Sequence, residues 1–306
     1  MSADPFSDIL KLTRAQALLT GGFTAGGPWA IRFPGRDKIK FFAVVKGSCW
    51  TQLEGEPVPG RLNAGDVGLL TVNRSYVLAS DLSAPAVEAV SVFSGAGKTT
   101  AVLGDGRDFA YVGGHVELDR ARGRLLSDVL PPWIHIPAAS PRAPTFRWLV
   151  DQLVGEGAGE LPGAQLATTQ LTQLLFIQIL RAQLQAVDYK PAGWLRAIAD
   201  RRIAPALRSM HGDPARSWSL NELAKACAMS RTTFAEYFRK VAGVAPLTYL
   251  TEWRMYLAER ALREETAPVA VVARSLGYTS ESAFSNAFKR FVGKSPKAYR
   301  SAAVDS

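Results

Sequence analysis

Two basic pairs, Arg239-Lys240 and Lys289-Arg290, stand fifty residues apart inside the same short frame. FAEYFRKVAGVAPLTY (234–249) and FSNAFKRFVGKSPKAY (284–299) also align Phe234 with Phe284, Phe238 with Phe288, Gly243 with Gly293, Pro246 with Pro296 and Tyr249 with Tyr299. Clustered cations of this kind are either a solvated basic face or the footprint of an anionic partner such as nucleic acid. Other chemistry is sparse. His115, His135 and His211, the only histidines, show no H-x-H or H-x-x-x-H spacing for a metal. Cys49 and Cys227 fall in different regions, so a disulfide framework or four-thiolate site is excluded and a reducing compartment fits. SGAGKTT (94–100) imitates a phosphate-binding loop, but Val92 stands where the first glycine belongs and Gly104 breaks the segment after it.

The elements that carry the repeat are helices. In WSLNELAKACAMSRTTFAEYFRKVAG, Ser219 and Glu222 form an S-x-x-E capping box, and the spacing buries Leu220, Leu223, Ala224 and Cys227. Small Ala226 and Ala228 permit a tight turn, and Ser230 caps a second helix that buries Phe234, Phe238 and Val241. The second copy, PVAVVARSLGYTSESAFSNAFKRFVG, buries Val269, Val272, Ala273 and Leu276, turns at Gly277, caps at Ser280 and anchors on Phe284, Phe288 and Phe291. Between them LTYLTEWRMYLAERALREE follows Pro246 as one long helix with Leu250, Trp253, Leu257, Ala261 and Leu262 as its stripe. Two helix-turn-helix motifs on one connector can enter successive major grooves about 34 Å apart. The charge agrees: residues 191–306 carry a net +8 and residues 1–190 a net +1.

The front of the chain has another texture. Residues 29 to about 112 read as short strands, with turns at 34–35, 54–57 and 63–66, which suggests a sandwich or small barrel. RLLSDVL before Pro131-Pro132, TFRWLVDQLVGEG, and the stretch 162–186 read as helices. The last is apolar on most faces (Leu166, Leu171, Leu174, Leu175, Ile177, Ile179, Leu184), so it needs cover on more than one side, from its own chain or from a second subunit. DYKPAG (188–193) reads as the linker. With 47% hydrophobic and 21% charged residues, no secretion signal and no apolar run of membrane length, a soluble cytoplasmic protein without membrane contact is expected.

The last 115 or so residues resemble the DNA-binding domain of the AraC/XylS family of bacterial transcription regulators, most fully over ARSLGYTSESAFSNAFKRFVGKSPKAYR and, in the connector, WRMYLAERAL. The resemblance implies that Arg231, Thr232, Ala235, Glu236 and Arg239 form the exposed face of the first recognition helix. It implies Glu281, Ser282, Ser285, Asn286 and Lys289 for the second. In base-edge chemistry Glu236 accepts from cytosine, Asn286 bonds adenine both ways and Ala235 offers a methyl contact to thymine. Asn286 replaces the Arg common in relatives, so no guanine contact is assumed there. Arg239, Lys240, Lys289, Arg290 and Lys294 suit phosphates.

FFAVVKGSCW, LNAGDVGLL and GWLRAIADRRIAPALRSMHGDP resemble the branch of that family with a cupin-like sensor domain. The implied fold class is α+β. An N-terminal cupin-like β barrel (1–116) precedes a helical dimerisation segment (117–190) and an all-α domain of two helix-turn-helix motifs joined by a long helix (191–302). The implied partners are double-stranded DNA, a second copy as a homodimer, an unidentified small-molecule effector and, for an activator, RNA polymerase. Trp29, Arg32, Trp50, Arg74 and Tyr76 are candidates to bind an anionic or aromatic effector. Cupin enzymes hold iron, manganese or nickel with several His. Here Phe42, Ser75 and Tyr76 occupy the expected neighbourhoods, so no catalytic residue, metal or cofactor is assigned. A cupin-type metal enzyme with an accessory DNA module and an architectural DNA binder are the rival readings.

Overall fold

The computed structural model describes residues 4–35, 37–93, 100–119, 122–158, 161–186, 193–264 and 267–304. Most of the phosphate-loop look-alike (94–99) and of the linker candidate (188–192) lies outside them. Contacts divide the chain into two units, Ala15–Asp119 with Leu130–Ala186, and Met1–Arg14 with Arg120–Val129 and Val187–Ser306. No helix among the described residues is long and apolar enough to cross a membrane.

The first unit contains β1 (Gln16–Ala25), β2 (Ala30–Phe33), β3 (Ile39–Lys46), β4 (Ser48–Leu53), β5 (Gly60–Asn63), β6 (Val67–Leu70), β7 (Tyr76–Ala79), β8 (Val87–Glu88), β9 (Thr100–Leu103), β10 (Phe109–Glu117) and β11 (Trp133–Ile136). They form two sheets, in the orders β11-β6-β3-β10-β1-β9 and β5-β4-β7-β2-β8, rather than one continuous barrel wall. Inward side chains of both sheets share one core, with Phe23, Phe42, Val44 and Phe109 from the first meeting Ile31, Cys49, Leu62 and Leu78 from the second. Burial pushes the Cys49 thiol up to about 12, so it acts as packing rather than as a nucleophile. Strand β1 begins well before residue 29, and β11 follows Pro131-Pro132. Helices α4 (Ala143–Ala158) and α5 (Ala164–Gln185) complete this unit. Gln173 of α5 joins β1 by accepting from the Ala17 amide (2.8 Å) and donating to the Ala15 carbonyl (3.0 Å).

The second unit is helical. Its N-terminal piece, α1 (Pro5–Leu12), is capped by Asp4 and packs Ile9 and Leu12 against Trp253. Asp8 lies 3.2 Å from His211, and Arg14 pairs with Glu264 at 2.7 Å. These long-range contacts, together with the short α3 (Arg124–Ser127), cut across the sequence boundaries expected at 116/117 and 190/191. The other helices are α6 (Trp194–Ala199), α7 (Ala204–Gly212), α8 (Leu220–Ala226), α9 (Arg231–Ala242), α10 (Pro246–Glu264), α11 (Val269–Ser275), α12 (Glu281–Val292) and α13 (Pro296–Val304); the short α2 (Ala89–Val92) belongs to the strand unit.

Two cores divide α10 between them. Tyr249 and Leu250 join Ile203, Leu207, Leu223, Phe234 and Phe238 in the first. Met255, Ala258 and Leu262 join Val272, Leu276, Phe284 and Phe288 in the second. The buried stripe of α10 is therefore wider than a single-face pattern predicts: Tyr249, Met255 and Ala258 are buried while Leu257 and Ala261 are only half-buried. Phe291 also departs from its expected anchoring role, being 37% exposed and edge-on to Tyr256.

Ala228 closes the first turn with a φ of 51°, the left-handed region where Gly277 closes the second at 80°. A Cβ in that region costs about 1–2 kcal/mol. Ala228→Gly should therefore stabilise the fold by about 0.5–1 kcal/mol, after the extra flexibility of unfolded glycine is deducted. An unmoved or lowered urea midpoint would contradict this.

Candidate nucleic-acid interface

The capping box reads as expected. Ser219 accepts from the Glu222 amide (3.2 Å), and Glu222 accepts from the Ser219 amide (2.8 Å) and from Arg216 (2.7 Å). These bonds, the backbone one foremost, draw the Glu222 carboxyl down to about 2. Ser230 and Ser280 then cap α9 and α12 through the amides of Thr233 (3.2 Å) and Ala283 (3.1 Å). Both helices end on left-handed glycines, Gly243 and Gly293.

The two helices present themselves alike. Over 231–240 and 281–290 the order of exposed, half-buried and buried positions is identical, with only Phe234/Phe238 and Phe284/Phe288 fully buried. On α9 this leaves Arg231, Thr232, Glu236, Arg239 and Lys240 exposed and Ala235 half-buried. On α12 it leaves Glu281, Ser282, Asn286, Lys289 and Arg290 exposed and Ser285 half-buried. The Ser282 hydroxyl lies 3.2 Å from that of its cap Ser280. Each helix thus gathers its polar candidates along one face, with the basic pair in its last turn.

The motifs are not quite the same. The α8-to-α9 turn runs 227–230 and the α11-to-α12 turn 276–280, one residue longer. The turn bonds still correspond: the Met229 amide reaches the Ala224 carbonyl and the Tyr278 amide the Ala273 carbonyl, both at 3.0 Å.

Arg254, which carries no signal in the sequence because a helix arginine reads as a solvated charge, joins the motifs. From α10 it donates to the carbonyls of Pro214 (2.6 Å) and Arg216 (2.9 Å), in the loop leading to α8. Its guanidinium lies 5.9 Å from the Tyr278 ring, in the second turn. Gly277 packs on the Ala215 carbonyl of the same loop. The entry to the first motif and the turn of the second therefore share one joint.

In the strand unit the five effector candidates do not converge. Trp29 is in the core against Phe23 and Phe109, Arg32 pairs with Glu88 (3.5 Å), and Arg74 pairs with Glu56 (3.1 Å). Trp50 lies under Arg61 (4.8 Å). Only Tyr76 lines the cavity of about 490 Å3 between the sheets, together with Phe33, Phe41, Phe93 and Tyr111. Lys38, Lys40 and His115 supply its polar lining. Lys40 sits 4.8 Å over the Tyr76 ring and donates to the Pro34 carbonyl (2.6 Å), while Lys38 bonds His115 (3.0 Å) and Glu117 (3.1 Å). The alternation Lys38-x-Lys40 at the start of β3, which puts both on one face, is the signal that marks them.

The histidines stand apart. His135 bonds Asp66 (2.9 Å), and His211 lies between Asp8 and Tyr249, its pKa lowered by burial against the opposing pull of Asp8. Among the described residues no group of three or more His, Cys, Asp or Glu is placed to hold a metal ion.

Comparison with known proteins adds the following. A cupin family model matches residues 4–185 and a helix-turn-helix domain model residues 223–302. An AraC-like transcription regulator of Streptomyces antibioticus is 40% identical over 297 residues, covering 97% of this chain and 98% of that protein. A protein of the same description from Streptomyces lividans is 39% identical over the same shares. Among solved structures, the DNA-binding domain of the global transcriptional factor AdpA, in complex with a target DNA, is 33% identical and covers 34% of this chain and 93% of that one, with a TM-score of 0.33.

Proposed function

The chain belongs to the AraC family of DNA-binding transcription regulators, and from that premise we propose that α9 and α12 read two sub-sites on one duplex face. The observation that carries this reading is the matched exposure of the two helices, with Glu236 and Asn286 at equivalent positions and a basic pair after each. Arg231, Thr232, Ala235, Glu281, Ser282 and Ser285 complete the faces. Arg239, Lys240, Lys289 and Arg290 meet phosphates.

Two single substitutions separate these roles. Asn286→Ala should lower affinity for the cognate site by roughly 1–3 kcal/mol and leave random DNA unaffected. Lys289→Ala should weaken both and flatten the dependence of log K on log salt by about one unit. Equal losses on both DNAs for Asn286→Ala, or an unchanged salt slope for Lys289→Ala, would remove that residue from its role.

The proposed division of labour is residues 1–116 as sensor, 117–190 as dimerisation segment and 191–302 as DNA-binding domain, with α1 and α3 exempted from the first two because they pack in the helical unit. The protein acts in the cytoplasm without catalysis. The 490 Å3 cavity is of ligand size. Its aromatic walls with Lys38 and Lys40 suit an organic anion as effector. Absence of saturable binding across a panel of aromatic and aliphatic carboxylates would remove that part of the reading. The effector acts by preferring one arrangement of two subunits over another. RNA polymerase is a further partner where the regulator activates.

Dimerisation is supported by apolar side chains left outside on α4 and α5: Trp148 is 54% exposed and Leu166 66%. Trp148→Glu with Leu166→Glu should convert a dimer to a monomer in light scattering. A mass unchanged from that of the parent chain would place the contact elsewhere.

A further inference from the structure

A smaller cavity, of about 180 Å3, lies in the helical unit against the first half of α10. Four rings wall it: Trp194 of α6 and Tyr249, Trp253 and Tyr256 of α10. Glu252 is the one carboxylate in the described lining, and no lysine or arginine joins it there. Nothing in the DNA-reading account uses this space.

Each ring is pinned by a contact of its own. The Trp194 indole N–H donates to the Leu125 carbonyl (2.6 Å). The Tyr249 hydroxyl lies 2.9 Å from His211 Nε2. Trp253 stacks on His211 at 4.1 Å, and Tyr256 meets Phe291 edge-on at 5.1 Å. The walls are therefore held before any ligand arrives, which lowers the ordering cost of binding.

The electrostatics has one sign. Beyond burial, Glu252 and Asp8 push the Tyr249 hydroxyl upward, and Glu252, Glu259 and Asp128 do the same to Tyr256. The Glu252 carboxyl is itself raised by burial. Aromatic faces carry negative π density and attract cations, most strongly when desolvated. An anion would meet repulsion here, and a neutral apolar guest would strip water from Glu252 without replacing it. The volume is below the roughly 300–1,000 Å3 of sites for drug-sized molecules, so it suits a compact head group.

We infer that this cavity is a binding site for a small organic ammonium ion, seated among Trp194, Tyr249, Trp253 and Tyr256 with Glu252 as its counter-ion. The matched probes are choline and its uncharged carbon isostere, 3,3-dimethylbutan-1-ol, titrated into the full chain and followed by ligand-observed NMR. Choline should bind saturably and at least tenfold more tightly than the isostere. Glu252→Gln should weaken choline about tenfold while leaving DNA affinity unchanged, which certifies the fold. Trp194→Leu, tested in the same way, should also weaken it. Equal binding of the two probes, no saturable choline binding, or choline binding that survives both substitutions would each overturn the assignment.

Discussion

Replacing Gly277 with alanine should cost about 2–4 kcal/mol of stability and at least tenfold in affinity for a two-part operator. Two penalties add. The residue has a φ of 80°, where any Cβ is strained. That Cβ would also overlap the Ala215 carbonyl oxygen and stand 2.8 Å from the carbonyl carbon, and backbone cannot swing aside as a flexible side chain can. Because Ala215 lies in the loop that Arg254 holds at the entrance to α8, the displacement falls on the joint between the motifs. Affinity for the full operator should consequently drop more than affinity for a fragment containing one sub-site. A urea midpoint within error of the parent, or equal losses on both DNAs, would contradict this account of the joint.

Phe284→Ala should be the more damaging change to the fold, at about 3–5 kcal/mol, the usual range for deleting a buried phenyl group. Phe284 is fully buried, edge-on to Tyr278 at 5.4 Å and tilted on Phe288 at 5.7 Å. Its counterpart Phe234 is as buried but belongs to the other core. The paired variants therefore test whether the cores are distinct. In hydrogen exchange, Phe284→Ala should lower protection chiefly in α11, α12 and the second half of α10, and Phe234→Ala chiefly in α8 and α9. A uniform loss across both motifs would merge the two cores into one.

The helical repeat was legible because its determinants are local. Ser230 and Ser280 cap, Phe234/Phe238 and Phe284/Phe288 are four apart on one face, and Gly243 and Gly293 stop the helices within a dozen residues. Long-range contacts were not legible. Helix α1 carries an apolar face, yet nothing in PFSDILKL says that the face meets Trp253 some 240 residues later. Strand β1 was not legible because Gly21-Gly22 contributes no side chains to the alternation that marks a strand; in the fold it lies against β10, which has its own doublet, Gly113-Gly114. Strand β11 was hidden behind Pro131-Pro132: the helix expected to run up to that doublet is a single turn that stops at Ser127, and the segment after the prolines is extended and pairs with β6.

The two halves of the candidate site differed in the same way. The polar candidates on α9 and α12 were implied by the family resemblance, and because each set lies on one helix, where the 3.6-residue period fixes which positions share a face, the exposed face agrees with it. Trp29, Arg32, Trp50, Arg74 and Tyr76 lie on different strands and loops, where facing depends on register and on which sheet each strand joins. Composition can nominate a tryptophan or an arginine for a pocket, but it cannot put Trp29 in the core and Lys40 at the cavity.

Footprinting bears most directly on the central claim. Full-length protein would first be used to select its preferred sequence from random duplexes, and hydroxyl-radical cleavage would then map the complex. The account predicts two protected tracts on the same face, about 34 Å apart, one helical turn. It also predicts that Asn286→Ala relaxes base preference in one tract only. A single short tract, tracts on opposite faces, or protection without sequence preference would contradict it.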